Sequence, residues 1–342
     1  MDINEQHLED LSSITITLVS LGNAYSDLGD YAKSEKLLLR ALEIKEKYYG
    51  KDHPSTAMTL NSLSNAYGYL GNYAKQRDLL LSALKIIEKH YGKDHIETGK
   101  TLNSLSAAHA SLGDYGKAID FSLRALKIKE KHYGKDHPET AMTLGNLGAT
   151  YGALGDYVKQ KDFSMRTLEI TEKHFGKNHP QIAGILDNLA TAYGSLGNYT
   201  KQKELSLQAL DIKEKHFGKD HPSTAITLCN LGDAYGALGD YEKQKGLSLR
   251  ALEIKERHFG KDHPQTAMTL GNLGIVYNNL EDFKKAYEYQ KRVYDIFLKF
   301  YGPNHQYTRL SYQQMQVINA SKNINSFLGD QSDNPNQQCR IY

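Results

Sequence analysis

The feature that most constrains the fold is a repeat with a fixed period of 42 residues. Its best-defined part is the stretch Tyr-Gly-Lys-Asp-His-Pro at residues 49–54. The glycine of this stretch recurs without insertion or deletion at Gly50, Gly92, Gly134, Gly176, Gly218, Gly260 and Gly302. A period of roughly 20–50 residues is typical of arrays in which each small unit packs on its neighbours. We therefore expect an array of such units rather than a globule around one core.

The residues after this stretch predict a first helix in each unit. Apolar side chains with the spacing of one helical face follow Pro54 in the second unit, at Leu60, Leu63, Tyr67 and Leu70. Pro54 suits the first turn of this helix, and Asp52 or His53 is expected to cap it. Gly71 is expected to end the helix in a left-handed conformation.

A second helix is predicted from Tyr73 to about His90, capped by Asn72 or, in other units, by the equivalent Asp. Neither helix can bury its apolar stripe alone, so the core is completed by the next unit. The equivalent residues of the units support this interpretation. Leucine recurs at Leu21, Leu63, Leu105, Leu147, Leu189, Leu231 and Leu273. Alanine recurs at Ala41, Ala83, Ala125, Ala209 and Ala251, and Thr167 is the departure.

The pattern Leu60-x2-Leu63-Ser64-x2-Tyr67-x3-Gly71-x-Tyr73-x9-Ala83-Leu84 resembles the tetratricopeptide repeat. The 42-residue period, the long second helix and the Gly-Lys-Asp-His-Pro loop resemble the kinesin light chain type of this repeat. The resemblance covers roughly residues 14–310. It implies an all-α fold, a right-handed α-solenoid superhelix of seven helix pairs with a C-terminal capping helix.

The expected domain organisation follows the period. Residues 1–13 are predicted to be a short lead-in, and 321–342 a polar, disordered tail. A capping helix is predicted at 306–320. The seven repeats are predicted at 14–49, 56–91, 98–133, 140–175, 182–217, 224–259 and 266–301.

Composition narrows the function classes. Lys and Arg number 42 against 40 Asp and Glu, so no concentrated basic charge points to a nucleic-acid partner. The two cysteines, Cys229 and Cys339, do not form a disulfide framework, which favours a reducing compartment. No signal peptide and no apolar run of membrane-spanning length is present, so we expect a cytoplasmic protein without a membrane partner.

Catalysis and metal binding are not expected. Ser, His and Asp recur in every unit, as structural positions do, and no glycine-rich phosphate loop follows a strand. The histidines form two series, one in the loops and one at the ends of the second helices, and a ladder of His pairs could hold a metal ion. Capping of helices by the loop histidines is the favoured explanation, so no cofactor is predicted.

The first helices are almost uncharged, whereas the second helices carry most of the charge. In the family that this chain resembles, the first helices line a concave groove. The resemblance places side-chain amides there, at Asn23, Asn61, Asn65, Asn103, Asn146, Asn188, Asn230 and Asn272. An amide both donates and accepts, so such a ladder could hold the backbone of a partner peptide. The alternative is that the amides bond neighbouring first helices to one another.

A small residue follows near the end of most first helices, at Gly68, Ala110, Gly152, Gly194 and Gly236. These residues could form the floor of the groove, or they could allow close helix packing.

We therefore predict a non-catalytic scaffold or adaptor that binds a protein or peptide segment in the groove, like the cargo-binding part of kinesin light chain. Only Lys100 is basic among the first helices, which argues against a clamp for a C-terminal carboxylate. Thirteen residues before the first repeat leave no room for the heptad coiled coil of kinesin light chains. The alternatives are a self-assembling structural protein and a regulatory or sensor subunit. The atypical seventh repeat and polar tail favour a monomer.

Overall fold

The computed structural model describes residues 5–332, with side chains for residues 11–320. This part of the chain contains fifteen α-helices and no strand. The first eight are α1 (Glu5–Asp27), α2 (Tyr31–Tyr49), α3 (Pro54–Tyr69), α4 (Tyr73–Tyr91), α5 (Ile96–Ser111), α6 (Tyr115–Tyr133), α7 (Pro138–Leu154) and α8 (Tyr157–Phe175). They are followed by α9 (Pro180–Ser195), α10 (Tyr199–Phe217), α11 (Pro222–Ala237), α12 (Tyr241–Phe259), α13 (Pro264–Asn279), α14 (Phe283–Tyr301) and α15 (Gln306–Ser332).

The chain divides into two compact units, one ending at His174 and one beginning at Phe175. In the first unit, each helix from α1 to α6 packs on the next helix in sequence. The second unit is built in the same way from α9 to α15. We call the odd-numbered helices α1 to α13 the first helices of the repeats, and α2 to α14 the second helices. Helix α15 occupies the position of an eighth first helix.

Both terminal helices are longer than the sequence analysis predicts. Helix α1 begins at Glu5, so most of the predicted lead-in is helical, and no glycine or proline interrupts residues 5–13. Helix α15 continues from 320 to Ser332. Its added residues Ile324, Phe327 and Leu328 have helical spacing, a pattern that the sequence analysis did not use. The rest of the predicted tail, 333–342, lies outside the described residues.

All seven loops between repeats share a histidine cap and a ring stack, and five of them add a threonine hydroxyl bond, which Ile182 and Thr308 do not make. The loop histidine caps the next helix: His137 Nδ1 accepts a hydrogen bond of 3.1 Å from the backbone N–H of Glu139. Tyr133, at the end of the preceding helix, stacks on His137 with ring centroids 4.6 Å apart. Thr140 closes the loop by donating to the carbonyl of Gly134 at 2.8 Å. The predicted capping role of the loop histidine is therefore confirmed.

The same stacking occurs in all seven loops. The pairs are Tyr49–His53, Tyr91–His95, Tyr133–His137, Phe175–His179, Phe217–His221, Phe259–His263 and Tyr301–His305. Three of the histidines at the ends of the second helices, His90, His174 and His216, reach back to the preceding loop. His90 Nε2 lies 2.7 Å from the carbonyl oxygen of Asp52, and His174 Nε2 lies 2.6 Å from that of Asp136. Both histidine series thus have structural partners.

The turn inside each repeat also follows the prediction. Gly71 has a φ of 75°, and Asn72 accepts from the backbone N–H of Lys75. In the seventh repeat Glu281 replaces the glycine and still adopts a φ of 61°. Glu281 is the non-glycine residue with a positive φ among the described residues, which shows how strongly the surrounding helices fix this turn.

The core lies between the two helices of a repeat and the first helix of the next. The predicted leucine series is buried from Leu63 to Leu273, whereas Leu21 in the first repeat is 45% exposed. The alanine series is buried as well. Thr167, the departure from it, is buried and satisfies its hydroxyl by donating to the Phe163 carbonyl at 2.8 Å.

The small residues near the ends of the first helices pack against the second helix of their own repeat. A Cβ added at Gly68, Gly152, Gly194 or Gly236 would lie within 3.0 Å of the side-chain amide of Gln76, Gln160, Gln202 or Gln244, respectively. In the third repeat Ala110 faces the same position, and the glutamine is replaced by Ala118. These residues therefore compensate one another in volume, and close helix packing is the interpretation that the structure supports.

Arginine–glutamate pairs join successive second helices. The pairs are Arg124–Glu88 at 2.8 Å and Arg166–Glu130 at 2.7 Å in the first unit, and Arg250–Glu214 at 2.6 Å and Arg292–Glu256 at 3.0 Å in the second. Since their side chains are partly exposed, each pair contributes only about 0–1 kcal/mol.

Replacement of the capping histidine should loosen the start of the following helix. We expect His137→Ala to lower the local opening free energy at the Glu139 amide by about 1–2 kcal/mol, because the cap and the stacking partner are both lost. His137→Asn keeps a capping acceptor and should lose about half as much. Amide hydrogen exchange of α7 measures both. Equal exchange in wild type and His137→Ala would contradict the capping role.

The glycine–glutamine packing predicts a double-mutant effect. Gly194→Ala should lower the free energy of unfolding by about 1–2 kcal/mol, because Gln202 must move and break its 3.1 Å hydrogen bond to the Asn230 carbonyl. Adding Gln202→Ala, which reproduces the pair of the third repeat, should recover part of this loss. Gly184→Ala is the control: nothing lies within 4 Å of its added Cβ, so it should stabilise by about 0.5–1 kcal/mol. Thermal unfolding of wild type, the single variants Gly194→Ala, Gln202→Ala and Gly184→Ala, and the Gly194→Ala/Gln202→Ala double variant checks this, and strict additivity of the first two changes would contradict it.

Candidate functional site

The first helices expose a row of apolar side chains at equivalent positions. In the first unit these residues include Ile16, Met58 and Met142, and in the second unit Ile226, Met268 and Leu310. About half or more of each side chain is accessible to solvent, from 46% for Leu310 to 60% for Ile16 and Met268. Lys100 and Gly184 occupy the same position in the third and fifth repeats. We call these exposed apolar residues the apolar row.

The amides of the first unit divide into two groups. Asn61 Nδ2 donates to Thr101 Oγ1 at 3.0 Å, and Asn146 Nδ2 donates to Asn103 Oδ1 at 3.3 Å. These half-buried amides bond neighbouring first helices to each other. Asn23 and Asn65 lie exposed, one helical turn further along their helices.

The amides of the second unit lie beside a cavity. Asn230 and Asn272 line a groove of about 760 Å³ formed by α11, α13, α14 and α15 together with Lys255 of α12. Ile226, Met268 and Leu310 of the apolar row line it too. Asn188 is exposed on α9 and is not among the lining residues. The structure thus brings two of the eight predicted amides together at one cavity, which we call the C-terminal groove.

A buried ion pair fixes the start of the second unit. Lys213 Nζ lies 2.5 Å from Asp187 Oδ2, and both side chains are less than a tenth exposed. Lys213 also donates to the Ser223 carbonyl at 2.9 Å, and Thr227 Oγ1 donates to Asp187 at 2.9 Å. Burial raises the pKa of Asp187, although Lys213 and Thr227 act in the opposite direction. The pair joins α9, α10 and α11.

Asp233 is the carboxylate that lines the C-terminal groove. The side chain of Asp233 is exposed to solvent, but it lies inside the concave groove. The groove walls displace part of its hydration, and this desolvation raises the pKa of Asp233 from 3.8 to about 6. The charge of the groove wall therefore changes in mildly acidic solution.

Some features of the site escaped the sequence analysis. The apolar row was not singled out, although its members recur at the same 42-residue spacing. The buried lysines of the second helices were not distinguished from the other charged residues of these helices. Their signal was a lysine on the buried face of a helix, one turn after a buried alanine.

The histidine and acidic side chains offer no metal site in the described part of the chain, where no three His, Cys, Asp or Glu side chains cluster suitably. Within the same part, no helix combines the length and apolar character of a membrane-spanning segment.

The described helices form pairs that repeat at a fixed spacing. Each pair buries its apolar stripes on the next pair and exposes one face of its first helix. This arrangement defines a helical-repeat fold, a class typical of protein-interaction scaffolds. Family models described as tetratricopeptide repeat match residues 13–89, 70–131, 181–243 and 246–299, and residues 140–181 and 224–265. These matches span well over half of the sequence, so the chain belongs to the tetratricopeptide repeat family. No curated protein sequence matches it significantly.

Solved structures show the same fold. A putative kinesin light chain with nearly identical TPR-like repeats from Podosopora anserina is 23% identical, with a TM-score of 0.52, covering 60% of this chain and 97% of its own. BtubC (BKLC) from P. vanneervenii is 21% identical, with a TM-score of 0.54, covering 68% and 91%. The apo form of RapI is 17% identical, with a TM-score of 0.65, covering 83% and 98%.

The raised pKa of Asp233 predicts a pH dependence of stability. A carboxyl group with a raised folded-state pKa contributes stability below its unfolded-state pKa, and this contribution is lost as the pH rises through the folded-state pKa. The wild type should therefore lose stability relative to Asp233→Asn between about pH 4 and 6.

We expect the free energies of unfolding of wild type and Asp233→Asn to change relative to each other by about 1 kcal/mol over this pH range. Two pKa units would represent ~3 kcal/mol, but water at the carboxylate screens most of this. Thermal unfolding at several pH values measures it. Parallel pH profiles of the two proteins would show that Asp233 keeps an ordinary pKa.

Proposed function

We propose that this chain is a non-catalytic protein-interaction scaffold that binds a partner segment on the exposed face of its first helices. The C-terminal groove is the proposed principal site. The partner segment is a peptide, extended or helical, with apolar side chains that contact the apolar row. An adaptor role in the cytoplasm, comparable to the cargo-binding part of a kinesin light chain, is the cellular setting that we propose.

The apolar row is the observation that carries this proposal. Large apolar side chains at equivalent positions of six of the eight first helices, including α15, remain about half exposed, although the core a few residues away is fully buried. Aligned exposed apolar residues often mark interaction sites, whereas singly scattered ones do not. Methionine suits such a surface because its flexible side chain adapts to different partners.

The division of charge between the helices supports the same face. The second helices hold most charged residues in pairs with one another or with the loops, as in Arg250–Glu214 and Lys173–Asp136. The first helices present mostly uncharged side chains to solvent, and Lys100 and Asp233 are exposed exceptions. A surface with few charged groups loses less hydration free energy when a partner covers it.

The amides contribute unequally to the proposed site. Asn61, Asn103 and Asn146 already bond between helices, so we assign them a structural role. Asn230 lines the C-terminal groove, but its side chain also interacts with Asp187 of the neighbouring first helix. Asn272 is therefore the groove amide that we assign first to a peptide backbone, and Asn230 the second. Asn23, Asn65 and Asn188 are exposed and remain candidate contacts of lesser weight.

Self-assembly is the second candidate function, and the first repeat favours it. Leu21 is 45% exposed, whereas the equivalent Leu63 and Leu105 are at most 1% exposed. A second copy could cover this surface. Light scattering across concentrations tests the idea: association that Leu21→Glu abolishes would support it, and a monomer at every concentration would exclude it.

The peptide-binding proposal is tested with a displayed library of random linear peptides selected on the full chain. Peptides enriched by the wild type should bind Met268→Glu about tenfold more weakly or worse, because a charge replaces an apolar contact of about 1–2 kcal/mol. Leu207→Glu is the comparison variant for the opposite helices. Leu207 belongs to a second series of exposed apolar residues at equivalent positions of the second helices, 37–48% exposed, which comprises Leu39, Leu81, Leu123, Met165, Leu207 and Leu249. The variant therefore tests whether the second helices bind the peptide instead. Fluorescence anisotropy measures the affinities.

Two results would contradict the proposal. In the first, the wild type enriches no peptide. In the second, Met268→Glu and Leu207→Glu bind the enriched peptides equally well. Combined Asn230→Ala and Asn272→Ala substitutions separate the contribution of the amides from that of the apolar row.

A further inference from the structure

The first repeat leaves uncovered a face whose leucines are buried in every later repeat. Helix α1 carries Ile14, Leu18, Leu21 and Tyr25 at the spacing of one helical face, which we call the N-terminal face. In repeats two to seven the leucine equivalent to Leu18 is at most 7% exposed, and the leucine equivalent to Leu21 at most 3%. In α1 itself Leu18 is only half-buried, and Leu21 is 45% exposed.

The N-terminal face is apolar, although a terminal repeat of a solenoid normally turns a polar side to solvent. A groove of about 750 Å³ lies beside this face, and its lining includes Leu21, Tyr25 and Leu37. Three basic residues and one acidic residue of α2 also line the groove, namely Lys33, Lys36, Arg40 and Glu43. The first repeat thus presents an apolar groove with an excess of positive charge.

The later repeats show which kind of element covers this face. In the third repeat it is the second helix of the preceding repeat, α4. Leu84 of α4 belongs to the same core cluster as Leu102 and Leu105, which are the equivalents of Leu18 and Leu21. The same contact recurs where Leu126 packs with Leu144 and Leu147, and where Leu252 packs with Leu270 and Leu273. The face therefore fits an amphipathic helix that offers an apolar stripe.

The covering helix also brings a carboxylate to a fixed place. Arginine recurs at the position of Arg40, and each later arginine pairs with a glutamate of the preceding second helix at 2.6–3.0 Å. The pairs are Arg124–Glu88, Arg166–Glu130, Arg250–Glu214 and Arg292–Glu256. In α4 this glutamate follows the packed Leu84 by four residues, which is one helical turn. Arg40 forms no ion pair within residues 11–320, so the charge of the groove complements an acidic residue on an incoming helix.

A second copy of the chain offers no matching stripe among its described helices. Second helices such as α4, α6 and α12 already bury theirs on the first helix that follows. Helix α15 has no acidic residue between 306 and 320, and α1 has none between Ile14 and Tyr25. Charge complementarity therefore favours a helix of a different protein.

We propose that the N-terminal face binds an amphipathic α-helix of another protein, which packs an apolar side chain on Leu18 and Leu21 and pairs an acidic side chain, four residues later, with Arg40. Burial of the leucines supplies the affinity, and the exposed ion pair fixes the register of the helix. This surface is separate from the C-terminal groove and from the apolar row, since Ile16 points to the opposite side of α1. The proposal thus goes beyond the proposed function and does not depend on it.

The sequence of α4 supplies the probe, because this helix covers the equivalent face of the third repeat. A fluorescein-labelled peptide of residues 73–91 is titrated with the full chain, and fluorescence anisotropy measures the affinity. We expect Leu21→Glu to weaken binding about tenfold or more, because a charge replaces an apolar contact. Ile16→Glu is the matched control on the same helix. Ile16 is 60% exposed, and its replacement should change the affinity less than about twofold.

A charge exchange then locates the bound peptide. Arg40→Glu should weaken binding about three- to fivefold, and so should Glu88→Lys in the peptide alone. The two changes together should restore most of the affinity, because the ion pair forms again in the reverse sense. A peptide that replaced α4 inside the array would meet Arg124 instead, and Arg40→Glu would leave its binding unchanged. Since Ile16, Leu21 and Arg40 are exposed, each variant should keep the circular-dichroism signal of the wild type.

Four results would overturn the proposal. The peptide does not bind, or Leu21→Glu and Ile16→Glu weaken it equally, or the charge exchange restores nothing. In the fourth, light scattering shows that the wild type associates and that Leu21→Glu makes it monomeric, so that a second copy covers the face. If Met268→Glu rather than Leu21→Glu abolishes binding, the peptide occupies the C-terminal groove. That result overturns this proposal and supports the proposed function.

Discussion

The loop between repeats is the constraint on which the rest of the structure depends. An aromatic residue stacks on the loop histidine, the histidine caps the next helix, and a threonine hydroxyl closes the loop onto a glycine carbonyl, as in Tyr133, His137 and Thr140. These contacts set where every first helix starts relative to the preceding second helix. With that start fixed, a side chain at a given position meets the same neighbours in every repeat. Residues at equivalent positions therefore have equivalent environments, and a different residue at such a position indicates a local change in packing or hydrogen bonding.

Volume compensation shows how such departures are accommodated. Gly194 lies against Gln202, and where the third repeat has Ala110 it also has Ala118. Thr167 replaces an alanine and satisfies its hydroxyl within its own helix. The interior of a repeat thus tolerates change when volume and hydrogen bonding are conserved together.

Function in this chain follows from what the repeats leave exposed. The second helices use their charges on one another and on the loops, so their surface is largely occupied by internal pairs. The first helices bond some of their amides together and leave the apolar row in solvent. In the second unit, that row, two amides, Asp233 and a buried lysine surround one groove. This groove combines apolar, amide and charged side chains, which is the reason we propose it as the peptide site.

Sequence alone determined the helix pairs, their bounds in the middle of the chain, the glycine turns, the histidine caps and the tetratricopeptide repeat family. Each of these depends on local spacing or on a period that is visible in one dimension. Sequence left open whether amides such as Asn61 and Asn230 bind a partner or one another, and it did not identify the partner of Lys213. Those properties depend on contacts between residues some 26–43 positions apart, such as Asp187–Lys213 and Asn103–Asn146. Only the packed helices decided which polar side chains are satisfied internally and which face the groove, because burial and hydrogen bonding are properties of the neighbours in space.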